Sequence, residues 1–143
     1  MPEKETIERA RKDKREGKAA STQAGEFVRE EIEHIREGKH GARSTKQAIA
    51  IGLSKARRAG VKLPPSETAS EETKEQAKRD TRRAGKKTKS AKRSRAAVKA
   101  LKREPRSVAS KRALSRQGRA AAKKRTKASR SRAAKKAAVT RKK

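Results

Sequence analysis

The sequence contains no cysteine, no tryptophan and no tyrosine, and only one phenylalanine, Phe27. Without cysteine there is neither a disulfide framework nor a thiolate metal site. The C-terminal stretch has no aromatic ring to serve as a platform for splayed bases, which counts against single strands and RNA loops as preferred ligands. No apolar run approaches the length that crosses a bilayer, and Met1–Ala20 lacks the apolar centre of a secretory signal. The expectation is a protein that stays in the cytoplasm. Apolar residues make up 29% of the 143, many of them alanine, too few to offset the entropy of ordering the whole chain. A small helical core with a large polar remainder is the expected outcome.

What the chain has in excess is positive charge. Lysine and arginine number 46 against 16 acids, a formal net charge of +30. The excess is not evenly spread. Residues 1–80 carry 19 basic and 15 acidic residues, a net of +4, whereas residues 81–143 carry 27 basic residues and one acid, Glu104, a net of +26. A near-neutral module followed by a polycationic stretch is the layout of a nucleic-acid-binding arm.

The spacing of apolar residues and caps predicts a mostly α fold. Thr6–Glu16 is charged on all faces, with only Ile7 and Ala10 to bury, and reads as a weak helix stopped at Gly17. Ser21 or Thr22 can cap a second helix, along which Ala24, Phe27, Val28, Ile32 and Ile35 form one stripe, ended by Gly38. Ser44 opens a third, with Ala48, Ile49, Ile51, Leu53 and Ala56 as its apolar face and Gly60 as its stop. Gly52 inside it is either a tolerated cost or the mark of a close helix crossing. Together they predict a helical hairpin over about 21–60, marginal on its own and helped by dimerisation through the hairpin or by a bound partner. The expected organisation is a charged helix over 1–20, the hairpin module over 21–63, a linker with a polar helix over 64–85, and a basic tail over 86–143.

The tail alternates good helix formers with like charges that repel at helical spacing. It is expected to be disordered when free and partly helical when phosphates screen it, broken at Pro105 and near Gly118. Arg93–Ala100 (RSRAAVKA) and Arg130–Ala137 (RSRAAKKA) nearly repeat. The expected phosphate contacts in the tail are Lys86, Lys87, Lys92, Arg93, Arg95, Lys99, Lys102 and Arg103, then Lys111, Arg112, Arg119, Lys123, Lys124 and Arg125, and finally Arg130, Arg132, Lys135, Lys136 and Arg141. A duplex carries one charge per about 1.7 Å of axis, so about 26 cations match roughly 44 Å of it.

In the hairpin, Lys46, Lys55, Arg57, Arg58 and Lys62 crowd the second helix and its end. They read either as a solvated outer face or as a helix lying on or in a DNA groove, with Arg43 and Gln47 the best placed for base edges. His34 and His40 are the only histidines. Glu30 and Glu37 stand at helical spacing from His34, but such a set on a charged helix reads as a solvated face, and no metal or cofactor is expected. No nucleophile–base pair or phosphate-cradling loop can be assembled, so the expected role is not enzymatic and takes no small-molecule substrate.

The stretch Arg36–Lys62, with the core Thr45–Arg57 (TKQAIAIGLSKAR) at its centre, resembles the hallmark of a bacterial family of small basic proteins of unknown function. That resemblance implies no catalytic residues. The tail is similar in composition to the Lys/Ala-rich arms of linker histones and bacterial histone-like proteins, with less proline and more arginine. The reading that follows is non-sequence-specific binding and compaction of double-stranded DNA in the nucleoid, DNA favoured over RNA. The rivals are an RNA- or ribosome-associated basic protein and a disordered hydrophilic stress protein. A membrane-surface role is disfavoured, because the tail lacks a large apolar face.

Overall fold

The computed structural model describes residues 2–86 and 90–142. These residues form seven α-helices and no strand: α1 (Lys4–Arg15), α2 (Ala20–Arg36), α3 (Thr45–Arg58), α4 (Glu71–Arg82), α5 (Ala91–Leu101), α6 (Lys111–Lys123) and α7 (Lys127–Arg141). One 3₁₀ turn, Ser107–Ala109, precedes α6. The fold is mostly α, as the periodicity indicates.

The hairpin of α2 and α3 is the centre of the molecule. Its helices cross closely at Gly52, where an added Cβ would sit 2.6 Å from the Val28 Cα. Glycine is therefore required there by a neighbouring backbone, not merely tolerated. The loop between the helices turns at Gly38, whose φ of 79° is left-handed. Ser44 opens α3 by accepting a hydrogen bond from the Gln47 N–H.

Two apolar clusters lie at opposite ends of this hairpin. One gathers Phe27, Ala24, Ala56, Val61 and Ala10, with Ile7, Leu53 and Leu63 packed against them. The other gathers Ile32, Ile35, Ala42, Ala48 and Ala109, with Val28, Val108 and Leu114. The first is closed by α1 and the second by residues 108–114, a part of the stretch assigned above to the tail. Four hydrogen bonds fasten that stretch. Gly41 N–H donates to the Leu101 carbonyl at 2.9 Å, and Ala42 N–H to that of Pro105 at 3.2 Å. Arg36 Nε donates to the Ala109 carbonyl at 2.9 Å and Thr45 Oγ1 to that of Val108 at 2.8 Å. The Glu104 carbonyl occupies the space a Cβ on Gly41 would need. Faces that the apolar pattern left to a second copy or a bound partner are thus covered by α1, α4 and α6 of the same chain.

Several local expectations are corrected. The second helix starts at Ala20, one turn's edge before Ser21 and Thr22, and no side chain caps it. The weak first helix docks on α2 and buries Thr6 and Asp13 beside Ala10, polar residues that no apolar stripe announces. The polar linker helix shortens to α4, opened by Ser70, and buries Ala77 and Asp80 against α3. Gly118 lies within α6. The break falls instead at Lys124–Thr126, because the Thr126 hydroxyl accepts from Ser129 N–H and starts a new helix.

Candidate nucleic-acid interface

The described tail is three capped helices. Hydroxyls of Ser90, Ser110 and Thr126 each accept a hydrogen bond from the N–H three residues on. None of α5, α6 and α7 contains a fully buried residue. Lys92, Arg93, Arg95 and Lys99 on α5 are exposed, as are Lys102 and Arg103 just beyond it. On and after α6 the exposed set is Lys111, Arg112, Arg119, Lys123, Lys124 and Arg125, and on α7 it is Arg130, Arg132, Lys135, Lys136 and Arg141. Lys86 is exposed, and Lys87 lies outside the described residues. Among the described residues, no lysine or arginine beyond Asp80 forms an ion pair.

The cations of the hairpin divide differently. Arg43, Lys46 and Lys62 are exposed. The other three are turned inward and leave the expected contact face. Lys55 Nζ lies 2.6 Å from Glu31 Oε2 and 3.7 Å from Glu30 Oε1. Arg57 is buried, its Nε donating to the Leu63 carbonyl at 3.0 Å. Arg58 reaches Ser54 Oγ at 2.8 Å and Asp80 Oδ1 at 3.5 Å. Gln47 is occupied as well, because its Oε1 accepts from Arg43 N–H at 2.7 Å. Along α3 only Lys46 and Ala50 are exposed, so this helix is enclosed by α2, α4 and α6 and cannot lie lengthwise in a groove.

The structure also brings together what sequence reading kept apart. The first turn of α3 and one side of α6 line a groove of about 680 Å³, with Lys46 and Arg116 on its walls among Ser44, Thr45, Ser107, Ser110 and Gln117. Both helices begin beside this groove, so their free N–H groups add to its positive potential. Arg116 was not among the expected contacts. The signal that could have found it is Leu114, an isolated large apolar residue that gives α6 a core-facing side.

Beneath the loop lies the most polar part of the core. Glu30 and Glu31 are 2% and 1% exposed. Glu30 Oε2 accepts from Glu3 N–H at 3.1 Å, and Glu30 Oε1 has no hydrogen-bond partner. Glu31 Oε1 lies 2.9 Å from His40 Nε2, and His40 Nδ1 lies 2.9 Å from the Gly41 carbonyl. His34 Nε2 meets Glu3 Oε1 at 3.0 Å. The His34 hydrogen bond, then Lys39, holds the Glu3 carboxyl below the usual carboxylate range. Lys39 is raised in turn, chiefly by Glu37 and also by Glu3. The histidines are therefore not on a solvated face, and the partner of their cluster is Glu31 rather than Glu30 or Glu37.

No described helix is long and apolar enough to cross a membrane. No curated protein and no solved structure matches the chain. Over residues 3–67, which take in α1, the hairpin and the Pro64–Pro65 segment, the chain is similar to a family of unknown function (DUF6496).

Proposed function

We propose that this chain binds double-stranded nucleic acid, DNA before RNA, through phosphate contacts and without base readout, and that it draws duplexes together in the nucleoid of a bacterial cytoplasm. The observation that carries the reading is the contrast in pairing: every ion pair of the described residues lies at or before Asp80, while the exposed cations of α5, α6 and α7 have no anionic partner. Unpaired, solvated cations at this density displace the counterions condensed on a duplex. Connections at 102–110 and 124–126 let three short helices follow a backbone one after another. The core acts as a platform, contributing Arg43, Lys46, Lys62 and Arg116 around the groove and the loop ends. With no aromatic ring in the tail, there is no aromatic platform on which an unpaired base would stack. The role is binding rather than catalysis, and it requires no cofactor.

The test compares affinity of the full chain for duplex DNA, duplex RNA and single-stranded DNA of equal length, at several salt concentrations. Duplex DNA is expected to bind tightest, with log Kd rising steeply and linearly with log salt and with no dependence on base sequence. For six to ten phosphate contacts, affinity falls roughly 10³–10⁵-fold between about 50 and 200 mM salt. Tighter binding to structured RNA at every salt would move the reading to an RNA- or ribosome-associated protein. A shallow slope with weak binding to all three would support the hydrophilic stress protein instead.

A further inference from the structure

The geometry points to a metal site: Glu31, His34 and His40 form a binding site for one divalent transition-metal ion of the zinc class. One ligand atom from each of the three lies within 4.8 Å of the other two. Atoms bound at about 2.0–2.1 Å to a common ion stand roughly 2.9–3.4 Å apart. The pair His40 Nε2 and Glu31 Oε1 is already at 2.9 Å, and side-chain torsion brings in His34. Glu31 and His34 share one face of α2, a turn apart. His40 comes from the loop, which the left-handed Gly38 folds back over the helix end.

Three further observations support an ion here over a chance cluster. Two of the ligands, Glu31 and His40, are held by a second contact of the kind that orients metal ligands. Lys55 Nζ holds Glu31 Oε2 at 2.6 Å and leaves Oε1 facing the histidines. The Gly41 carbonyl faces His40 Nδ1 and so turns Nε2 toward Glu31. Glu3 Oε1, on a separate element, meets His34 Nε2. Next, the core is short of positive charge. Two buried carboxylates, Glu30 and Glu31, share one lysine, and Glu30 Oε1 has no hydrogen-bond partner. Buried anions require compensation, and a dication supplies it. Finally, the histidine side chains keep 14% and 11% exposure, enough for an ion to enter and for water to complete its coordination. Two imidazoles and one carboxylate select zinc, cobalt, nickel or iron(II) over magnesium and calcium, which take oxygen ligands.

The ion would tie the C-terminal turn of α2 to the 38–43 loop. That loop also receives the tail, through Gly41 N–H to Leu101 and Ala42 N–H to Pro105. Metal binding therefore firms the joint between core and tail without touching the phosphate-binding cations.

The experiment titrates Co²⁺, and then Zn²⁺ in competition, into the untagged full chain. Visible absorption follows Co²⁺ coordination. Long-range proton–nitrogen NMR follows the imidazole nitrogens, which in this chain belong to two histidines only. The expected result is one equivalent of Co²⁺, displaced by one equivalent of Zn²⁺, with one nitrogen of each ring moving to the metal-bound position. His34→Gln and His40→Gln should each weaken binding by more than about 100-fold, since loss of a mere second contact already costs about 10–100-fold. Glu37→Gln, at an exposed carboxylate outside the cluster, should bind as the parent does. Ring nitrogens that do not move with Zn²⁺, or binding that survives both histidine replacements, overturns the proposal. Should either variant fail to fold, the NMR titration of the parent decides.

Discussion

Arginine and lysine do opposite work on the two sides of Asp80. Before it, nine of the 19 cations are answered by acids, often at close range. Arg9 meets Glu26 at 2.6 Å, Lys18 meets Asp13 at 2.8 Å, Lys55 meets Glu31 at 2.6 Å and Arg58 meets Asp80 at 3.5 Å. The first, third and fourth of these pairs join α1 to α2, α2 to α3 and α3 to α4, and Lys18–Asp13 ties the following loop to α1, so the charged residues act as clasps between short helices that have little apolar surface to share. Beyond Asp80 the same two residue types have no such partners among the described residues, and their helices bury almost nothing. The difference teaches that composition alone does not mark a nucleic-acid contact. In the proposed function, the acids decide, by determining which cations are left free to exchange their counterions for phosphates.

The largest effect should come from cutting where this contrast is cleanest. Residues 126–143 contain eight cations, and α7 contributes no buried residue. Their removal should leave thermal unfolding unchanged, weaken duplex binding most at low salt, and lower the log–log salt slope by up to about 7 if all eight meet phosphates. Removal from Gly85 onward is a poorer cut, because it also takes Val108, Ala109 and Leu114 out of the second apolar cluster. An unchanged slope in salt titrations of the shorter chain, or a lower melting temperature, breaks the comparison.

The mirror experiment replaces one cation on each side. Lys55→Met leaves Glu31 without its closest cation in a site that is 1% exposed, and stranding a buried charge costs about 3–5 kcal/mol. Lys99→Met, on an exposed face of α5, should alter stability by no more than about 0.5 kcal/mol and reduce only DNA affinity. Urea unfolding of both variants, followed by circular dichroism, measures the contrast. Equal costs would mean that the inward lysine is not a clasp.

A pair of glycines sharpens the same boundary at smaller cost. Gly52→Ala must push Val28 and the helix crossing apart, an overpacking worth about 1–3 kcal/mol, visible as a lower urea midpoint for the core. Gly41→Ala meets the Glu104 and Pro105 carbonyls instead. It should displace the 101–105 segment and leave the α2–α3 pairing intact. Limited trypsin digestion should then cut at Lys102 and Arg103 faster than in the parent. Unchanged cleavage there would show that the tail is not held by this loop.

Much of the hairpin was legible because its signals are local. The stripe from Ala24 to Ile35, the Ser44 cap and the stops at Gly38 and Gly60 all follow from periodicity and backbone freedom. The Gly52 crossing was legible as one of two alternatives. What escaped is what depends on partners distant in sequence. Thr6 and Asp13 are buried although neither is apolar. Val108, Ala109 and Leu114 pack on the hairpin, but three apolar residues among cations look like background composition. His34 and His40 meet because the loop folds back, and no helical spacing links 34 to 40. For the candidate interface, the cations that charge density picked out in the described tail are exposed, although Val108, Ala109 and Leu114 beside them are packed on the hairpin. Charge density also swept in Lys55, Arg57 and Arg58, since a lysine's partner cannot be read from its neighbours in sequence.

Acid offers the mildest test of the comparison, because it acts on one side only. Glu3 is held below the usual carboxylate range by its hydrogen bond from His34, and then by Lys39, while Glu16 is lowered by Lys18. A carboxyl whose folded value is depressed stabilises the fold above its ordinary value, here 4.5, and loses that contribution as pH falls through the lowered folded value. Both groups are exposed, so solvent and salt keep the effect small. Amide protection factors in α1, taken relative to the intrinsic exchange rate at each pH, should therefore fall modestly below about pH 4.5, and Glu3→Gln should show the lowered protection already at neutral pH. The described tail has one carboxylate, Glu104, and no ion pair to lose. Protection in α7 should therefore not respond to the same acid step. A matching acid response in α7 would mean that its cations have anionic partners within the chain after all.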